Sequence, residues 1–126
     1  MKQFQNNYTT PEQSQKLLEL GVPVLTADCY FYIKEVNGRN ICDTPNLVPY
    51  GMGEYGLKRW WTERNNARYT PCWSVGRLLE LVNICMYDID KRDKFYTKLY
   101  YHQDDLISFI LLTLQYNEVD FSKLEY

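Results

Sequence analysis

Asn37-Gly38 is the dipeptide that most narrows what this chain can become. A two-residue type I′ turn needs positive φ at both central positions, and Asn followed by Gly supplies it most readily. Ahead of it runs Cys29-Tyr30-Phe31-Tyr32-Ile33-Lys34-Glu35-Val36, rich in aromatic and β-branched residues, and behind it Arg39 to Cys42. The pattern predicts an antiparallel hairpin in which Val36 faces Arg39 and Ile33 faces Cys42. Cys29, Phe31 and Ile33 then share one face, and Tyr30 and Tyr32 cover the other.

Helices are signalled on either side. Thr10-Pro11-Glu12-Gln13 is a helix start, with Thr10 as cap, Pro11 at the first helical position and Gln13 reaching back to complete a capping box. Gly21 and Pro23 stop this helix; Leu17, Leu18 and Val22 form its apolar stripe, while Glu12, Gln15, Lys16 and Glu19 face water. Ser74 is placed to cap a second helix over Val75 to Val82, with Leu78, Leu79 and Val82 inward. Ile84 to Ile89 and Phe95 to His102 read as a second hairpin about Asp90-Lys91-Arg92-Asp93. Asp104 or Asp105 caps a last helix, whose apolar positions 106, 107, 109, 110, 111, 112 and 114 are too many for a surface helix and place it in the buried centre. Between Asp43 and Tyr69 the periodicity dissolves: Pro45, Pro49, Gly51, Gly53 and Gly56 argue against a regular element in the first half, and Lys58 to Arg68 has room for one short helix. The expected order is α-β-β-α-β-β-α. With 126 residues, one α+β domain spanning residues 1–126 is predicted, helices packed on antiparallel hairpins or a sheet, with a long irregular connection at about 43–69.

Charge is distributed unevenly. Residues 57–77 hold five basic side chains, Lys58, Arg59, Arg64, Arg68 and Arg77, against Glu63 alone, a net +4, while the stretches before and after are net −2 and −4. Trp60, Trp61, Tyr69 and Trp73 interleave with these cations, the combination that binds single-stranded nucleic acid by stacking and phosphate contact. The net charge of −2 for the whole chain argues the other way, because it removes the long-range field that usually accompanies such binding. A structural reading of the same residues has Trp60 and Trp61 anchor the loop to the core while the charges solvate it, with Trp73 packed on the helix that Ser74 caps and Gly76 permitting close approach. The functional one makes Trp60, Trp61, Tyr69, Trp73 and Arg77 an interaction surface or groove, with Pro71-Cys72-Trp73 as floor, the 43–69 connection as rim and Arg77 reaching in. Twelve tyrosines add weight to a protein interface, where stiff aromatic side chains with a polar tip are enriched.

Other chemistry is thinly signalled. Cys29, Cys42, Cys72 and Cys85 are widely spaced with no CxxC pair, so they are expected to be core residues, with no metal site and no disulfide. Gly51-Met52-Gly53-Glu54-Tyr55-Gly56 fits GxGxxG, but Pro45 and Pro49 interrupt the strand a dinucleotide site requires, so no cofactor is expected and the glycines are assigned to turns. Asp88, Asp90 and Asp93 resemble the start of a calcium loop without its glycine and glutamate, and a hairpin turn accounts for them. His102 beside Asp104 and Asp105, with Cys29 or Cys72 as nucleophile, is the one constellation from which a small hydrolase would be built. No apolar run approaches the roughly 20 residues of a membrane span, and the start of the chain lacks a basic head followed by an apolar core, so a cytoplasmic protein without membrane contact is expected.

Thr9-Thr10-Pro11-Glu12-Gln13-Ser14, Leu17-Leu18-Glu19-Leu20-Gly21-Val22-Pro23, Ala27-Asp28 and Pro71-Cys72-Trp73-Ser74-Val75-Gly76-Arg77-Leu78-Leu79-Glu80 together resemble a family of small uncharacterised proteins from gut bacteria, their mobile elements and phages. Asp105-Leu106-Ile107 is similar to the start of that family's last helix, and residues 43–69 match none of its motifs. The resemblance implies an accessory gene and attaches no activity, cofactor or catalytic residue. The leading expectation is a non-enzymatic protein-binding or regulatory module, whose partner is another protein or a second copy of itself. Single-stranded nucleic-acid binding through 58–69, by Lys58, Arg59, Arg64 and Arg68, and a hydrolase using His102 stand as the alternatives.

Overall fold

The computed structural model describes residues 7–42, 45–49, 53–64, 68–86, 88–99, 101, 105–117 and 119–123. The first helix, α1 (Pro11–Leu20), begins and ends as its sequence demands. Thr10 Oγ1 accepts the Gln13 N–H at 3.2 Å and Gln13 Oε1 accepts the Thr10 N–H at 2.9 Å, which satisfies two of the first turn's free donors. Gly21 closes the helix at a φ of 100°, and the Val22 N–H folds back to the Leu17 carbonyl. A 3-10 turn, Val24–Thr26, leads into the sheet.

Every strand of that sheet pairs antiparallel with β1 (Cys29–Val36). β2 (Arg39–Cys42) returns from a turn in which Asn37 and Gly38 have φ values of 53° and 77°, and the register is the expected one, Val36 opposite Arg39 and Ile33 opposite Cys42. Cys29 and Phe31 are buried on one face; Ile33 is half-buried, and from Lys34 onward the hairpin stands in solvent. Two further strands were not anticipated. β3 (Asn46–Leu47) places Leu47 opposite Cys29, and β4 (Tyr69–Cys72) places Cys72 opposite the same residue on β1's other side.

The described residues of 43–69 are therefore more regular than the prolines and glycines implied. Besides β3 they carry α2 (Gly53–Glu63), which starts five residues ahead of the expected helix and stops before Arg68. Gly53, at a φ of 70°, turns the chain into the helix, so this glycine opens the element it was expected to forbid.

α3 (Val75–Cys85) is capped by Ser74, whose Oγ accepts the Arg77 N–H at 3.1 Å, and it buries Leu78, Leu81, Val82 and Cys85, with Leu79 half-buried. The second hairpin is replaced by a helix. α4 (Ile89–Leu99) runs straight through Asp90-Lys91-Arg92-Asp93, and Asp88 Oδ1 accepts the N–H groups of Asp90 and Lys91 in the manner of an N-cap. Phe95 lies three positions after Arg92 and four before Leu99, a spacing that serves a helix as well as its alternation serves a strand. α5 (Leu106–Tyr116) is capped by Asp105, and it buries Ile107, Ile110, Leu111 and Leu114 in one stripe. Leu112, on its other side, is 54% exposed, so α5 lies at the margin of the core and is not fully enclosed.

The observed order is α-β-β-β-α-β-α-α-α, and the α+β class stands. A single large apolar cluster joins Leu17 of α1, Trp60 and Trp61 of α2, Trp73, the inner face of α3, Phe95 of α4 and the buried stripe of α5. Among the described residues no helix is long and apolar enough to cross a membrane.

Candidate functional site

Residues of the stretches 9–14, 27–28 and 71–80 converge on one polar network at the junction of α1, β1, β4 and α3. Thr9 is fully buried: its Oγ1 lies 2.7 Å from Ser14 Oγ and accepts the Trp73 N–H at 3.0 Å, while its own N–H donates to the Trp73 carbonyl at 3.0 Å. The Trp73 indole N–H donates to Thr26 Oγ1 at 3.0 Å, and that hydroxyl donates onward to the Pro23 carbonyl at 2.7 Å. Asp28 accepts both the N–H and the hydroxyl of Ser74, and the Arg77 Nε–H donates to the Thr26 carbonyl at 2.8 Å. Trp73 has no exposed surface, and Arg77 is held against the turn before β1 and ion-paired with Glu80 at 2.8 Å. Neither lines the neighbouring groove; both are fastened into the frame, because a buried polar group left without a partner is costly and here each has one.

That groove lies between α1, α2 and β4, with a volume of about 530 Å³. Leu18 and Leu25 contribute its apolar lining, Trp61 and Pro71 close it, and Lys58, Arg64 and Tyr69 stand around it. The two tryptophans of α2 are in the core, packed edge to face with ring centroids 5.0 Å apart. Trp60 also meets Tyr30 edge-on at 5.1 Å, and the Arg64 guanidinium lies over its outer face at 4.4 Å and donates to the Trp60 carbonyl at 3.2 Å. With one face under a guanidinium and the edges in the core, Trp60 has no surface left on which a base would stack. Among the described residues, the Trp61 indole N–H is the buried side-chain donor without a hydrogen-bond partner.

The cations are divided in the same way. Arg59 pairs with Glu63 at 3.2 Å on the outer face of α2, near Tyr55, which is 82% exposed. Arg68 precedes β4, where its carbonyl accepts the Ile33 N–H. Lys58 is exposed at the groove's edge and has no partner among the described residues. Of the nine residues singled out by sequence, the structure therefore brings Lys58, Trp61, Arg64 and Tyr69 around the groove.

The thiols are placed for packing. Cys29, Cys72 and Cys85 are buried thiols that form no disulfide, and Cys29 and Cys72 face each other across β1 and β4. The Cys72 side chain beside it, its burial and the nearby Asp28 charge together push the Cys29 thiol far above the ordinary range, which disfavours the nucleophilic thiolate. Tyr8 is raised as well, by burial first and then by Cys29, Asp28 and Cys72. His102 and Asp104 lie outside the described residues; Asp105 serves as a helix cap, its Oδ1 accepting the Ser108 N–H at 3.2 Å. Of the glycine motif, Gly51 and Met52 lie outside the described residues, and the rest forms the start of α2 behind a sheet whose ladders are antiparallel, a setting unlike a dinucleotide fold. Among the described residues no group of His, Cys, Asp or Glu is assembled that would hold a metal.

A second groove, of about 570 Å³, lies between α4 and α5. Its residues escaped the sequence reading because Lys98 was assigned to a strand and Lys91 to a turn. The signal was present: Lys91, Lys94 and Lys98 recur at intervals of three and four beside Phe95, the stripe of a helix.

Compared with protein-family models, with curated proteins and with solved structures, the chain finds no significant match.

Proposed function

We propose that the chain is a non-enzymatic protein-binding module and that the groove between α1, α2 and β4 is its contact surface. The observation that carries this reading is the pairing of an apolar groove with Lys58, whose ammonium has no partner among the described residues, beside Trp61, whose indole N–H also lacks one among them. A segment that sets an apolar side chain against Leu18 and Leu25 and a carboxylate near Lys58 matches what the groove offers. The burial of Trp60 and Trp61 and the engagement of Arg59 and Arg64 favour a protein over single-stranded nucleic acid, since they withdraw both tryptophans and two of the cations and leave Tyr55 as the exposed ring on α2.

The test is a photo-crosslinking residue placed at Thr62, on the exposed rim, and in parallel at Asn83, exposed on α3 away from this groove, each expressed in the native host. A protein adduct that forms from position 62 alone, survives nuclease and fades when Lys58→Glu is added supports the reading. An adduct removed by nuclease transfers the surface to nucleic acid, and equal labelling from both positions overturns the site.

A further inference from the structure

We infer that the groove between α4 and α5 is a docking site for an acidic amphipathic helix of a partner protein. Both walls are helical and both present their side chains at helical intervals: Lys91, Lys94 and Lys98 with Phe95 from α4, Phe109 and Leu112 from α5. At about 1.5 Å of rise per residue, the α5 wall from Asp105 to Asn117 is about 18 Å long, the length of roughly three helical turns. The floor is aromatic. Phe95 is buried and stacks on Phe109 with ring centroids 5.4 Å apart and planes at 23°, and Leu112 is a large apolar side chain left more than half exposed at the edge. A third helix laid along the α5 stripe meets it ridge into groove, anchored by apolar residues at i, i+3, i+4 and i+7.

Charge settles the kind of helix. The three lysines are exposed and, among the described residues, none has a carboxylate partner. Asp105 is the single acid lining the groove, and it is occupied in capping α5. Residues 78–126 are net −4, yet they turn three cations toward one apolar trough. A visitor with glutamates or aspartates flanking an apolar stripe neutralises those cations while covering the floor. The concavity argues against a bilayer, which wets a protruding apolar surface, and the aromatic floor argues against a phosphate backbone.

The probe is a hydrocarbon-stapled peptide of about three to four turns with Leu at i, i+3, i+4 and i+7 and Glu elsewhere, labelled for fluorescence anisotropy, beside a scrambled peptide of equal composition and charge. Saturable one-to-one binding of the patterned peptide is expected, weakening as salt rises. Reversing all three lysines (Lys91→Glu, Lys94→Glu, Lys98→Glu) is expected to weaken it about tenfold or more, from three solvent-exposed pairs lost and turned repulsive. The lysines are exposed, and circular dichroism of the triple variant checks that the helices persist. Leu112→Asp must weaken binding too. The proposal is overturned by absence of saturable binding, by equal binding of the scrambled peptide, or by indifference to the lysine reversals. Lysine-dependent sedimentation with phosphatidylserine vesicles in place of peptide binding assigns the trough to a lipid surface. A concentration-dependent dimer abolished by the triple variant assigns it to a second copy, and either result replaces the partner inferred here.

Discussion

Asp28 and Ser74, 46 positions apart, are joined twice: one carboxylate oxygen takes the Ser74 N–H at 2.9 Å and the other the Ser74 hydroxyl at 2.5 Å. That hydroxyl still accepts the Arg77 N–H, so one carboxylate closes the first turn of α3 and ties it to the start of β1. Asp28→Ala leaves a partly buried N–H and hydroxyl without their charged acceptor, and a loss of about 2 kcal/mol is expected. Urea unfolding monitored at 222 nm measures it; a change under about 0.5 kcal/mol removes the joint from the account of stability.

Trp61 and Trp73 resemble one another in burial and differ in hydrogen bonding. Trp73→Phe discards the bond to Thr26 and opens a space in the core, with an expected cost of about 2 kcal/mol. Trp61→Phe also loses volume but removes a buried donor that has no partner among the described residues, so it is expected to stay within about 1 kcal/mol of the parent. The same two unfolding curves decide between these expectations, and equal losses refute the distinction.

Alkaline pH weakens the fold through Cys29. Below about pH 8.5 the thiol is protonated in both the folded and the unfolded chain and has no influence. Above it the unfolded chain sheds a proton that the folded chain, with its raised pKa, retains, so stability falls by up to about 1.4 kcal/mol per pH unit. Tyr8, raised in the same direction, adds to the fall near pH 10. Urea midpoints at pH 7.5, 9 and 10 reveal the decline, and Cys29→Ala is expected to flatten it between 8.5 and 10; an unaltered slope in that variant refutes the assignment.

Position 93 discriminates between the turn that the sequence suggested and the helix that forms. In the interior of α4, Asp93→Ala is expected to gain a few tenths of a kcal/mol and Asp93→Gly to lose as much. A hairpin turn reverses that order, because Asp and Gly are turn formers and Ala is not. Melting temperatures of the two variants suffice.

What could be read from residues alone follows from how local the determinants are. The Asn37-Gly38 turn, the Thr10–Gln13 capping box and the Ser74 and Asp105 caps are settled within four or five positions, and each appears where the chemistry placed it. β4 was invisible because Pro71 argues against a strand. Ile33 donates to the Arg68 carbonyl, and the alternation of an antiparallel ladder then puts Pro71, opposite Tyr30, where an N–H would point away from β1, so the ring costs that ladder nothing. α4 was misread because Phe95, Tyr96 and Thr97 favour a strand by residue type and the local Asp88 cap was taken as part of a turn, while the stacking of Phe95 on Phe109 is decided by a tertiary neighbour. For the site, Lys58, Trp61, Arg64 and Tyr69 were legible as a group. Burial of the tryptophans was one of the two readings their residue types allowed; what was not legible is which partners they take, since Trp60 and Trp73 meet distant residues, Tyr30 and Thr26.

Among its described residues α4 buries only Phe95, a thin attachment for a helix of 11 residues. The rest of the fold does not depend on it: the sheet, α1, α3 and α5 contact one another directly. α4 is therefore expected to open as a unit of its own, its amides exchanging with deuterium at a lower opening free energy than those of α3. Exchange mass spectrometry should find the 89–99 amides labelled first and slowed when the stapled peptide binds, so that arrival of a partner registers as the quieting of a helix that breathes alone.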